Sequence, residues 1–314
     1  MRQQRKTFRA IEVGDGSDGR WATHAQALWQ DMQALLTDEG RTPDGADRVR
    51  ALFGTHMPEL VPVLDRLAVQ LDRPEAETFL THAALRPFSP ACTQIGRNGT
   101  LLRNYDFPPD QCEGTIVSSC FLRPVIGMQD LLWGLLDGMN DAGLAISLTF
   151  GGRSAYGPGF AILIVLRYLL ETCNTVDEAV NRLQTLPVSV PQNLTLIDPT
   201  KALTVYLGPD ITPTTAPDAC AANHQHLPVT DDQERALRTQ ERLRAIRTTG
   251  TDVTAMLKPP LYRSLDEQGS GTLYTAHYRP AEGRVNYHWP GETWQQSFAA
   301  FAPGTRTVTL CQAN

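Results

Sequence analysis

Residues 91–106 read ACTQIGRNGTLLRNYD, a segment with a turn at its centre and chemistry at its ends. Asn98-Gly99 between extended flanks predicts a hairpin, because both residue types tolerate the positive φ of a type I′ turn. With those two as the loop, Gln94 faces Arg103 and Cys92 faces Tyr105. Side chains alternate along a strand, so Cys92 and Arg103 share a face while Asp106 lies one step from the Cys92 backbone. A thiol, a fixed positive charge and a carboxylate thus meet at one strand end.

Around this hairpin the composition is ordinary. The 314 residues carry a formal net charge of −6 with 20% charged side chains, enough chain for one large domain or two smaller ones. No basic block suited to a phosphate backbone is present, which argues against nucleic-acid partners. The basic start, Met1 to Lys6, has no apolar core of a signal peptide behind it. The longest apolar run, Phe160 to Leu166, is too short to cross a bilayer. The 6 cysteines show no zinc-type spacing, and reduced thiols in a cytoplasmic protein are the expectation.

The chain changes character at Cys92. Trp21, Ala25, Leu28, Trp29, Met32, Leu35 and Leu36 follow helical spacing, with Gly40 as a stop. Asp38 to Asp47 reads as a polar break, Pro58 to Leu71 as a second helix and Pro74 as an early position of a third ending near Leu85. Met1 to Ala91 is therefore expected to be a mainly helical segment, broken by Pro87 to Pro90. Beyond it strands dominate: Leu144 to Phe150, Leu194 to Asp198, Leu203 to Leu207, Gly271 to Tyr278, Arg284 to Tyr287 and Arg306 to Leu310. A buried helix is expected over Phe160 to Cys173. Capping boxes at Thr175 and Thr230 open two more, running to Leu186 and Arg247. Strands and helices come in runs, which favours α+β layers over a doubly wound sheet.

A thiol attacks near neutral pH only with a base or a depressed pKa. None of the seven histidines stands in a thiol-protease context. The residue's own α-amine, with an ordinary pKa of roughly 7.7–8.0, would serve, provided the Ala91–Cys92 bond is cut. The competing reading makes Cys92 a small core residue.

The chain resembles the N-terminal-nucleophile (Ntn) hydrolases of the acyl-coenzyme A:6-aminopenicillanic acid acyltransferase-like group, relatives of choloylglycine hydrolases and penicillin V acylases. The likeness rests on Phe8-Arg9-Ala10-Ile11-Glu12, Cys92-Thr93, Arg103-Asn104-Tyr105-Asp106, Leu136 to Leu144, Arg167 to Glu171 and Ala221-Ala222-Asn223-His224. It implies a four-layer αββα sandwich from Cys92 onward, with residues 1–91 as a leader or subunit removed or retained after cleavage. Cys92 would be the nucleophile, released by autocatalytic cleavage after Ala91. Asp106 would hold the new amine, Arg103 favour the thiolate, and Asn223 contribute to the oxyanion hole. A second oxyanion donor is expected around Thr149 to Gly151, and a further arginine at Arg238 or Arg242. Relatives often carry glycine before the nucleophile. Ala91 reaches unusual φ/ψ less readily, so slower processing is expected.

Other residues have plainer readings. Asn140 is expected to form a turn rather than act in catalysis, Asp137-Gly138 reads as turn-like, and Tyr105 as packing or pocket border. His224 and His226 make a weak metal motif, and no metal or cofactor is expected. The resemblance implies a small N-acyl amide as substrate, or alternatively an acyl thioester such as acyl-CoA with an amine acceptor. The partner would be the chain's own cleavage product. Remote alternatives are a non-catalytic binding protein that keeps the fold and a thiol protease with a histidine base.

Overall fold

The hairpin forms with the expected register. In the computed structural model, which describes residues 3–87, 91–226, 228–267 and 269–311, Cys92 opposes Tyr105, Gln94 opposes Arg103 and Ala91 opposes Asp106. Asn98 and Gly99 have φ of 53° and 69°, the two left-handed residues of a type I′ turn.

The chain opens with β1 (Gln3–Gly14), followed by α1 (Arg20–Met32), α2 (Pro43–His56), α3 (Val61–Leu71) and α4 (Ala76–Leu80). The hairpin is β2 (Ala91–Arg97) and β3 (Thr100–Phe107). Next come β4 (Thr115–Cys120), β5 (Pro124–Asp130), β6 (Gly134–Asn140) and β7 (Ala145–Phe150), then α5 (Ile162–Thr172) and α6 (Val176–Leu183). Four strands follow: β8 (Gln192–Ile197), β9 (Ala202–Gly208), β10 (Ile211–Ala216) and β11 (Cys220–Ala221). After α7 (Asp231–Leu237), α8 (Thr239–Thr249) and α9 (Val253–Met256), the chain ends in β12 (Gly271–Arg279), β13 (Arg284–Trp289), β14 (Glu292–Ser297) and β15 (Gly304–Cys311).

The fold is α+β, with two sheets face to face. One runs β10-β9-β8-β7-β6-β5-β4-β1-β15 and the other β11-β2-β3-β12-β13-β14. β2 and β3 pack on β7 and β8 across the interface, α5 covers β5 to β7, and α8 and α9 cover β11, β2 and β3. The order of layers is helix, sheet, sheet, helix. β6 and β8 are buried along their whole length, being covered on both faces, whereas β13 alternates buried and half-buried residues at the margin.

The segment before Cys92, expected to be mainly helical, also holds a strand. β1 lies inside the larger sheet, antiparallel to β15 and parallel to β4, so the layers and this segment share strands. A helix also starts inside the expected polar break: Thr42 accepts from Gly45 N as N-cap and Pro43 takes the first helical position. Of Pro87 to Pro90, the last three residues lie outside the described residues. At Thr175 the reciprocal half of the expected capping box is missing; Glu178 accepts instead from Asn174. The single helix expected from Thr230 to Arg247 is two, because Arg238 at φ 47° breaks it.

Candidate active site

The alternation of β2 turns Cys92 and Gln94 into the layer between the sheets. Gln94 is held there by Ser147 Oγ, which donates at 2.6 Å, and by its own bond to Asn193 O at 3.2 Å. Cys92 is fully buried. From the same face of β3, two residues before Tyr105, Arg103 Nη2 donates to Cys92 Sγ at 3.1 Å. Its Nη1 donates to Leu136 O at 2.7 Å and to the Asp137 carboxylate. The Tyr105 ring lies beneath this guanidinium, 4.7 Å from its central carbon. The Tyr105 hydroxyl is buried with no hydrogen-bond partner among the described residues.

Asp106 points the other way, into the helix layer. Arg242 Nη1, from α8, donates to its Oδ2 at 2.6 Å, and Thr272 Oγ1 donates to Oδ1 at 2.6 Å. Both ion-paired side chains are fully buried. Arg242 Nη2 reaches Asn223 Oδ1, which also accepts the backbone N–H of Cys92 at 3.0 Å. Cys92 therefore sits between two buried ion pairs, Arg103–Asp137 on its thiol side and Arg242–Asp106 on its backbone side.

In this uncleaved chain burial pushes the Cys92 thiol up. The Arg103 charge pulls it down, the Asp106 charge pushes it up, and the net shift is upward. The favouring of thiolate expected from Arg103 is thus outweighed by desolvation. The acceptor oxygen of Asn223, not its amide nitrogen, faces Cys92 N; Nδ2 reaches Phe150 O at 3.4 Å.

The other expected residues lie as follows. Thr149 donates to Ala222 O at 2.9 Å and accepts from Asn193 Nδ2 at 3.0 Å, so its hydroxyl braces the segment that carries Asn223. The Gly151 N–H is taken by Pro191 O. Asn140 stays out of the cluster: its side chain bonds Leu170 O and Cys173 O and accepts from Ala142 N and Leu144 N, closing the β6–β7 turn. Arg238 is at the surface with Glu241, so Arg242 is the arginine brought to the site. His224 bonds Thr239 and His226 packs on Tyr206. Among the described residues no group of three or more potential ligands could hold a metal ion.

Asp137 corrects the turn-like reading of Asp137-Gly138. It lies within β6, fully buried, and accepts from Arg103, from Tyr274 OH at 2.6 Å and from Tyr278 OH at 2.5 Å. Glycine and asparagine around it give turn signals to a sequence reading, and nothing local marks its distant partners. Thr272 was likewise invisible, because its role depends on the register of β12 against β3.

A cavity of about 350 Å³ opens beyond the end of β3. Met32 at the end of α1 and Leu35 just after it, Leu85 and Pro87 from the junction, Phe107 at the end of β3 and Leu131 in the β5–β6 turn line it. Phe107 packs against Tyr105 with ring centroids 5.7 Å apart and the rings tilted by 35°, which links the cavity wall to the Arg103 platform.

The model of the acyl-coenzyme A:6-aminopenicillanic acid acyl-transferase family matches residues 93–294, and the chain belongs to that family. Membership indicates chemistry of the Ntn type, either acyl transfer or amide hydrolysis. No curated protein matches the chain. Among solved structures, penicillin V acylase from Agrobacterium tumefaciens is 15% identical, with 69% of this chain and 90% of that chain covered at a TM-score of 0.43. A variant of conjugated bile acid hydrolase from Clostridium perfringens is 12% identical, covering 72% and 98% at 0.43. A Caenorhabditis elegans ortholog of N-acylethanolamine-hydrolyzing acid amidase is 15% identical, covering 61% and 93% at 0.45. No helix of the described residues is long and apolar enough to cross a membrane.

Proposed function

We propose that this protein is an amidohydrolase whose nucleophile is Cys92, released as a new N-terminus by cleavage of the Ala91–Cys92 bond. The observation that carries the reading is the environment of Cys92. Arg103 Nη2 lies 3.1 Å from its sulfur, and its main-chain nitrogen bonds the Asn223–Arg242–Asp106 chain. Once cleaved, that nitrogen becomes an amine with an ordinary pKa near neutrality. Asn223 Oδ1 orients it, and it takes the thiol proton.

The thiolate attacks the amide carbonyl, forming a C–S bond and an oxyanion. The C–N bond then breaks as the α-ammonium gives its proton to the leaving amine. Water, deprotonated by the same amine, releases the acid and restores the thiol. The Arg103 charge offsets part of the desolvation of the thiolate. The cavity behind Phe107 lies at the lower end of the roughly 300–1,000 Å³ usual for small-molecule sites, and its mostly apolar walls suit an acyl group. After cleavage the N-terminal segment stays in place, since β1 has a hydrogen-bonded neighbour on each side.

The family's own description favours a second reading, in which an amine in place of water resolves the thioester. A panel of N-acyl amino acids, penicillins and bile-salt conjugates, incubated with and without an amine acceptor, tests both. The proposal predicts a released acid and a transient acyl mass on the peptide beginning at Cys92. New amide on adding acceptor would favour transfer, and turnover without acylation of Cys92 would refute both.

A further inference from the structure

Arg103 divides its two terminal nitrogens between opposite partners. Nη2 goes to Cys92 Sγ at 3.1 Å, and Nη1 to Asp137, Leu136 O and, at 3.3 Å, Tyr274 OH. Asp137 is in turn held by Tyr274 OH on Oδ2 and Tyr278 OH on Oδ1, and Tyr278 OH lies 2.9 Å from Tyr287 OH. All six of these side chains are fully buried. We infer that Asp137 is a positioning residue: it anchors one side of the Arg103 guanidinium, shares its charge, and so limits how much of that charge acts on the thiol.

Coulomb attraction is strong at such distances away from water, and a cation held by one carboxylate has less field to offer a second anion. The charged and titratable groups around the pair come from every neighbouring element. They are Tyr105 and Asp106 on β3, Cys112 between β3 and β4, Asp130 at the end of β5, Tyr274 and Tyr278 on β12, Tyr287 on β13, and Arg242 on α8. Burial and the Asp137 charge raise Tyr274 and Tyr278 well above their usual range, so both remain neutral donors. Asp137 thus receives both phenol hydroxyls and Arg103 Nη1, on the far side of the guanidinium from the thiol.

This inference rests on Cys92 being the reacting thiol. Its test reads thiol chemistry and not amide turnover, so an inactive enzyme that shows the expected pattern would sink the functional reading alone. The full chain is treated with iodoacetamide at pH 7, and alkylation of each cysteine is followed by peptide mass spectrometry. In Asp137→Asn the Arg103 charge is left to the thiol, and Cys92 is expected to react about threefold faster per unit of lowered pKa, after its lost nucleophilicity. Buried Cys112 and Cys173 should keep their rates. Arg103→Met should slow Cys92, and adding Asp137→Asn to it should change nothing more, since the effect passes through Arg103.

Tyr278→Phe removes a donor from Asp137, leaves its carboxylate more fully to Arg103, and should slow Cys92. It decides the matter alone if Asp137→Asn does not fold. An unchanged Cys92 rate in both variants, shifts of the same sign in both, or a common rise across the buried cysteines would overturn the inference.

Discussion

Replacing Arg242 with Met removes one partner of a fully buried ion pair and leaves the Asp106 carboxylate in the helix layer. Breaking a buried pair from one side typically costs about 3–5 kcal/mol, because the remaining charge has lost its compensation. Two groups reduce that loss here. Thr272 Oγ1 still donates at 2.6 Å, and Arg263 Nη1 stands 4.0 Å away and is 14% exposed. A third contact increases it, since Asn223 Oδ1 loses its Arg242 donor. We expect about 3 kcal/mol, the lower end of that range. Urea unfolding followed by far-UV circular dichroism measures it, with the m-value as a check on two-state behaviour. The double variant Arg242→Met with Asp106→Asn should recover at least half of the loss, because no unpaired charge remains. Arg235→Ala, which breaks a pair whose side chains are 73% and 86% exposed, should cost under about 1 kcal/mol. A loss in Arg242→Met no larger than that surface control, or a double variant no more stable than the single, would refute the reasoning.

Three further outcomes follow from the same structure. Gly152 has φ +77°, and a Cβ there would lie 2.4 Å from Asn223 O; Gly152→Ala should displace Asn223 and slow chain cleavage at least tenfold, read as the ratio of cut to full-length chain on denaturing gels. His82 is buried against Leu131 O, and burial lowers it from 6.5 to about 3. The unfolded chain therefore binds the extra proton first, and stability should fall by up to about 1.4 kcal/mol per pH unit between pH 6.5 and 3; His82→Gln should flatten that slope in urea titrations. Leu35→Trp should fill the cavity, raising KM for long acyl groups more than for acetyl or propionyl ones, as measured by initial rates on a series of N-acyl amino acids.

Where the sequence was readable, local chemistry did the specifying. The hairpin register follows from two residues able to take positive φ, and it placed Cys92, Arg103 and Asp106 together without any tertiary information. The Thr230 capping box is equally local, and both of its hydrogen bonds form. β4, β5 and β6 escaped notice because they are covered on both faces and show no apolar–polar alternation. β1 is rich in Gln, Arg and Lys, which disguises a strand flanked by neighbours on both sides. Arg238 and Arg242 could not be told apart because the helix break at Arg238 decides which one turns inward. The partner of Arg103 lies 34 residues further on, at Asp137; only the stacking of the two sheets joins them.

Intact-mass measurement of purified wild-type protein and of Cys92→Ala tests the central claim most directly. The account predicts two wild-type species, one ending at Ala91 and one beginning at Cys92, that co-elute under native conditions and separate on denaturation. Cys92→Ala should remain a single chain of 314 residues. A wild-type protein that turns over an amide substrate while its Ala91–Cys92 bond stays whole would contradict the account.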